Sequence, residues 1–127
     1  MFRIRILAVT VLAALVVAVV GVVGSQAAPQ ALKGTLAGNV GPGFTITLTK
    51  KGTPVTKLKL KAGTYKIVVN DRSSMHNFHL FGPGVKKTTG VSFVGKTVWK
   101  VKLVKGKYTY RCDVHFLSGM IGHFKVT

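Results

Sequence analysis

The stretch "YTYRCDVHFLSGMIGHFKV" gathers three metal-binding side chains within nine residues: Cys112, the chain's only cysteine, His115 three positions on, and Met120 five beyond that. At the strand period Tyr108, Tyr110 and Cys112 share one face while Thr109 and Arg111 share the other, so the thiol points where the tyrosines point, into a core. Cys112 then ends a strand, "DVHFLSG" makes a tight connection carrying His115, and Met120 stands where the chain enters a last strand. A thiolate, an imidazole and a thioether suit a soft or borderline metal, copper above all, bound by two histidines and a cysteine with a weak axial methionine. One more histidine is required. "SSMHNFHLFG" offers His76 and His79, three apart and so on opposite faces of a strand. His76 shares its face with the apolar Phe78 and Leu80, His79 with Asn77 and Phe81, so alternation favours His76 while leaving His79 open.

A lone cysteine in an apolar strand is more often an inert core residue, a methionine beside a turn more often packing, and a single histidine more often a surface residue. All of those readings would have to hold together here. His123 lies in the last strand beyond the loop, and nothing in the sequence pairs it with the others.

The elements that must position these groups are short and alternating. "FTITLT" puts Phe44, Ile46 and Leu48 on one side and three threonines on the other. Similar segments follow in "VTKLKLK", "TYKIVVN", "HNFHLF", "TVWKVKLV", "KYTYRC" and "GHFKVT", separated by turn residues in "KKGTP", "KAG", "NDRSS", "GPG" and "VKG". No segment shows a helical period. Seven to eight short strands in about 100 residues predict an all-β chain, a Greek-key β-sandwich.

Ahead of it, Arg3 and Arg5 precede an unbroken apolar run from Ile6 to Gly24, followed by small residues Ser25 and Ala27. Residues 1–27 therefore read as a cleaved export signal, with a retained membrane anchor through residues 6–24 as the alternative. Residues 28–127 form the expected domain, located in the periplasm, outside the cell, or on the outer face of the cytoplasmic membrane. In an exported chain a solitary thiol is open to oxidation unless something occupies it, and a metal is the obvious candidate.

Fifteen lysines and four arginines face only Asp71 and Asp113, a formal charge of +17 over 127 residues, which loss of Arg3 and Arg5 would reduce to +15. Such a surface favours acidic partners. Nucleic acid is not expected, because the lysines are scattered through strand-like segments and form no dense basic tract. In "VWKVKLV", Lys100 and Lys102 alternate with Trp99, Val101 and Leu103, so much of the excess is the solvated side of a sheet. With two carboxylates and no phosphate-loop or nucleophile-elbow motif, hydrolytic chemistry lacks material.

With C-x2-H-x4-M met by Cys112, His115 and Met120, Gly122 following, and a His-Asn pair upstream at His76 and Asn77, the chain from about Lys33 to Thr127 resembles the cupredoxin family, its plastocyanin-like branch of small blue copper proteins above all. The resemblance implies one copper ion cycling between Cu(I) and Cu(II), with His76, Cys112 and His115 as equatorial ligands and Met120 axial. It implies a monomeric electron carrier, not an enzyme, serving a redox partner protein expected to be acidic. A copper carrier or buffer using the same ligands is the alternative, and a metal-free basic binding module the third class. Asn77 is implied to tie the two ligand segments together, in many relatives through a Ser or Thr after the cysteine. Here that position is Asp113. His115, next to Phe116 and Leu117, is expected to face the redox partner.

Overall fold

The computed structural model describes residues 21–127; the basic, apolar stretch read as a signal or anchor lies, over residues 1–20, outside the described residues. Residues 21–31 carry no regular structure, and no helix among the described residues is long and apolar enough to cross a membrane. Ten strands follow: β1 (Leu32–Val40), β2 (Ile46–Lys50), β3 (Thr53–Pro54), β4 (Lys59–Leu60), β5 (Gly63–Asp71), β6 (His79–Gly82), β7 (Val85–Thr88), β8 (Gly95–Leu103), β9 (Gly106–Arg111) and β10 (Ile121–Val126).

They form two five-stranded sheets, ordered β3-β2-β1-β5-β8 and β4-β10-β9-β6-β7. Both are mixed: β1 runs parallel to β5 and β4 parallel to β10, while every other pairing is antiparallel. Between them lies one core, with Leu36, Leu48, Tyr65, Ile67 and Leu103 from the first sheet meeting Leu80, Tyr108, Tyr110 and Phe124 from the second. Burial of their apolar surface supplies the main driving force for the fold. The expected alternation holds in β8, where Lys100 and Lys102 are exposed and Val101 and Leu103 buried, with Trp99 half-buried against the core.

Three details correct the sequence reading. The described residues form ten strands, not seven or eight, because β1, β3 and β7 went unrecognised. "VTKLKLK" is no continuous strand: Val55–Lys57 is a 3-10 turn burying Val55, and only Lys59–Leu60 pairs, with β10. "HNFHLF" starts its ladder at His79, so His76, Asn77 and Phe78 belong to the connection after β5, and Phe44 stands outside β2 with 57% of its surface exposed. These shifts bring both histidine-bearing segments and Phe44 to one end of the sandwich.

Candidate metal centre

Cys112 follows the last residue of β9, and the strand period carries its thiol inward as expected: Tyr108, Tyr110 and Cys112 are all buried. The backbone then turns within eight residues. A 3-10 turn over Phe116–Ser118 is closed by Gly119 at φ 91°, a left-handed conformation that glycine adopts without steric cost. Cys112 N donates to Met120 O at 3.0 Å and Met120 N to His115 O at 3.4 Å, so the chain ties three of the sequence-predicted residues together through its own peptide groups. Gly122 lies opposite Tyr110 in the β9–β10 ladder, and any Cβ there would collide with the tyrosine ring. That glycine leaves the space the core tyrosine ring occupies.

The upstream segment is braced separately. Asp71, buried at the end of β5, accepts from Ser73 N at 3.1 Å and from Thr89 Oγ1 at 3.2 Å, while Thr89 Oγ1 in turn accepts from Phe78 N at 2.8 Å. Burial pushes the Asp71 carboxyl up, opposed by these hydrogen bonds and by the charge of nearby His76. The brace delivers His76, fully buried, to the thiol.

His76 Nδ1 and His115 Nδ1 stand 2.8 Å apart, and Cys112 Sγ lies 3.8 Å from each. The three donor atoms fall within 4.8 Å of one another. With metal–nitrogen bonds of about 2.0 Å and metal–sulfur bonds of about 2.3 Å, a triangle of this size can be bridged by a single ion. Two imidazoles and one thiolate form a donor set suited to copper. Met120 is fully buried beside them in the chain. Of the two candidates upstream it is His76 that joins the cluster, as strand alternation favoured, although from a loop and not from a strand face. His123 is exposed on β10, bonded to Thr109 Oγ1 at 2.9 Å, and takes no part.

His79 is turned to the outer side, with Nδ1 3.0 Å from both carboxylate oxygens of Asp113. Asp113 is a hub. Its N donates to Asn77 Oδ1 at 2.7 Å, its Oδ2 accepts from Asn77 Nδ2 at 3.0 Å, and its Oδ1 accepts from Arg111 Nε at 2.9 Å. Asn77 Nδ2 also reaches Thr88 Oγ1 at 3.1 Å. The tie between the two segments is thus present, with a carboxylate where a hydroxyl was implied. Partial burial pushes the Asp113 carboxyl up, but the hydrogen bonds from His79, Asn77 and Arg111 outweigh it and hold the group at about 2. The Arg111 guanidinium also lies over the Phe116 ring at 4.5 Å and the Phe81 ring at 5.2 Å, pinning the loop from outside.

Two features escaped the sequence reading. One is the His79–Asp113–Arg111 cluster, hinted at by one of only two acids standing next to the only cysteine. The other is Phe44, whose ring meets His76 and His115 edge-on at centroid distances of 5.3 and 4.8 Å. His115 is half-buried beneath it, and Leu117 on the same loop is 88% exposed.

Solved structures share this architecture. Reduced rusticyanin superposes with a TM-score of 0.55 at 23% identity, over 73% of this chain and 78% of that one. The fold is that of rusticyanin. Rusticyanin from Thiobacillus ferrooxidans gives a TM-score of 0.54 at 23% identity, covering 73% and 76% of the two chains, and a further rusticyanin structure, described as a copper protein, gives 0.55 at 22%. No family model matches the chain, and no curated protein matches it in sequence. The likeness to rusticyanin is one of fold, and the cupredoxin-like sandwich expected from the sequence is the architecture the chain has.

Proposed function

We propose that this chain is an exported electron carrier that holds one copper ion between His76, Cys112 and His115, with Met120 as a weak fourth ligand. The observation that carries the reading is the convergence of two imidazole nitrogens and one buried thiol within 4.8 Å, at the end of a sandwich whose two ligand-bearing segments are cross-linked by Asn77 and Asp113. A bound copper ion supplies one-electron chemistry between Cu(I) and Cu(II). The protein supplies rigidity: the Cys112–Met120 and Met120–His115 backbone bonds, the Asp71 brace and the Asn77 tie fix the donors in one arrangement, which keeps reorganisation small when charge changes. Solvent is excluded from Cys112 and His76, both fully buried.

His115 is the one donor with an exposed edge, and beside it stand Phe44 and Leu117, large apolar groups left in water. An apolar rim around the least covered ligand suits brief docking, and the lysine excess steers an acidic partner toward it. The chain acts as a monomer, delivered across the cytoplasmic membrane by residues 1–27 or held on its outer face through residues 6–24.

A copper carrier would use the same donors but must release them. The two purposes separate when electron transfer from a reduced small-molecule donor and copper loss to a strong chelator are timed on one sample. Reduction complete before measurable copper loss is the outcome expected of an electron carrier; copper loss as fast as reduction would reassign the site to copper handling.

A further inference from the structure

The far end of the second sheet carries an arrangement that the metal centre does not use. On its outer face Lys125 of β10 stands directly opposite Lys59 of β4 on one side and Lys107 of β9 on the other. All three are exposed. Neighbouring strands are about 4.8 Å apart, so three ammonium groups are rooted within roughly 10 Å in one row. In the next row His123 faces Thr109. Lys57, on the 3-10 turn before β4, closes the other side, and together these residues line an open cleft of about 640 Å³.

Like charges placed directly opposite one another destabilise a sheet. A lysine on an edge strand guards against unwanted strand pairing, which accounts for Lys59 on β4. It does not account for Lys125, which is flanked by strands on both sides, or for Lys107, further in still. No carboxylate side chain lines the cleft; the chain's only two, Asp71 and Asp113, brace the metal-binding loops at the opposite end.

We propose that this cleft is a docking site for an extended acidic peptide segment of a partner protein. Charge complementarity selects an anion, and the cleft's make-up narrows the class. It is concave, which a flat bilayer surface does not fill. It holds no arginine fork for phosphates, and its large aromatic residues, Tyr108 and Phe124, are buried, leaving only the His123 ring, bonded to Thr109, where successive bases would need a stacking platform. Lysines are point charges that suit single carboxylates. In an extended peptide, side chains on one face recur about every 6.8 Å, a spacing at which two acidic residues fall across the lysine row. Lys107 precedes Cys112 by five residues along β9, about 17 Å, so a segment held there leaves the His115 surface free. The inference shares with the proposed function the expectation of an acidic partner but requires no metal.

The test titrates a fluorescent glutamate-rich decapeptide into the full chain at low ionic strength, with and without copper. Lys125→Glu is expected to weaken binding about tenfold or more, whereas Lys100→Glu, the same charge change on the outer face of the other sheet, weakens it by less than about threefold. Peptide-induced amide shifts are expected over residues 57–59, 107–109 and 123–125. Should Lys125→Glu fold poorly, Lys107→Gln against Lys100→Gln carries the same comparison, and Lys125→Gln is expected to raise the melting midpoint of the free protein by relieving the lysine row. Equal losses from Lys125→Glu and Lys100→Glu would overturn the site in favour of a diffuse field. Binding of a sulfated polysaccharide there without binding of the peptide would overturn the peptide as occupant. Neither result would touch the copper reading.

Discussion

His76 and His79 stand three residues apart in opposite surroundings, one enclosed against a thiol and a second imidazole, the other hydrogen-bonded to a carboxylate. His76→Ala is therefore expected to abolish the blue copper absorption and His79→Ala to keep it, as read in visible spectra of the copper-loaded variants; the reverse pair of results would exchange their roles. Asp113 makes a second prediction at this scale. Its carboxyl sits at about 2 in the folded chain against an ordinary value near 3.9, so its ionised form favours the fold. That contribution is fully present above about pH 4 and is lost as pH falls through about 2. Asp71 has the opposite sign, since burial raises it, and adds nothing to the acid loss. Melting midpoints of the metal-free protein should fall between about pH 4 and 2, and Asp113→Asn should flatten that fall; an unchanged acid profile would contradict the hub geometry. At this scale Cys112 and His115 were legible because one short loop carries them at fixed spacing. Phe44 and the Asp113 cluster were not, because tertiary approach, not local spacing, brings them in.

Among the elements, the loop from Cys112 to Met120 depends on two glycines with different reasons. Gly119 needs its left-handed φ, and Gly122 needs to have no side chain, because Tyr110 occupies that space. Gly122→Ala is expected to destabilise the sandwich by about 1–3 kcal/mol, the usual cost of overpacking a core, as measured by urea unfolding. A variant as stable as the parent would mean that Tyr110 moves freely away. The strands legible in the sequence are those rich in β-branched and aromatic residues, such as β5 and β8. Strand β1, "LKGTLAGNV", went unread because its two glycines and one alanine lower its strand signal. Its neighbours explain that composition: a Cβ on Gly38 would approach the Phe78 ring at 3.0 Å, so smallness there makes room for a core aromatic from the other side of the sandwich. The segment "VTKLKLK" misled for the converse reason, its alternation being carried by a 3-10 turn and a two-residue strand.

For the whole molecule, charge and apolar surface make separable claims. If the net +17 steers an acidic redox partner, added salt should slow bimolecular electron transfer sharply, since screening at 0.1 M acts beyond about 10 Å. If the His115 rim is where that partner settles, Leu117→Lys should slow transfer at every salt concentration while leaving the copper spectrum unchanged, because Leu117 is exposed and braces no ligand. Second-order rates with a negatively charged cytochrome across a salt series check both; rates indifferent to salt and to the variant would remove the docking account. All of this presupposes the metal, and its most direct test is to add Cu(II) to the purified protein and to Cys112→Ser and record visible and paramagnetic resonance spectra. The account predicts an intense sulfur-to-copper absorption and one copper per chain in the parent, and loss of that absorption in a Cys112→Ser protein that still folds. A colourless parent, or a colour that survives Cys112→Ser, would contradict it.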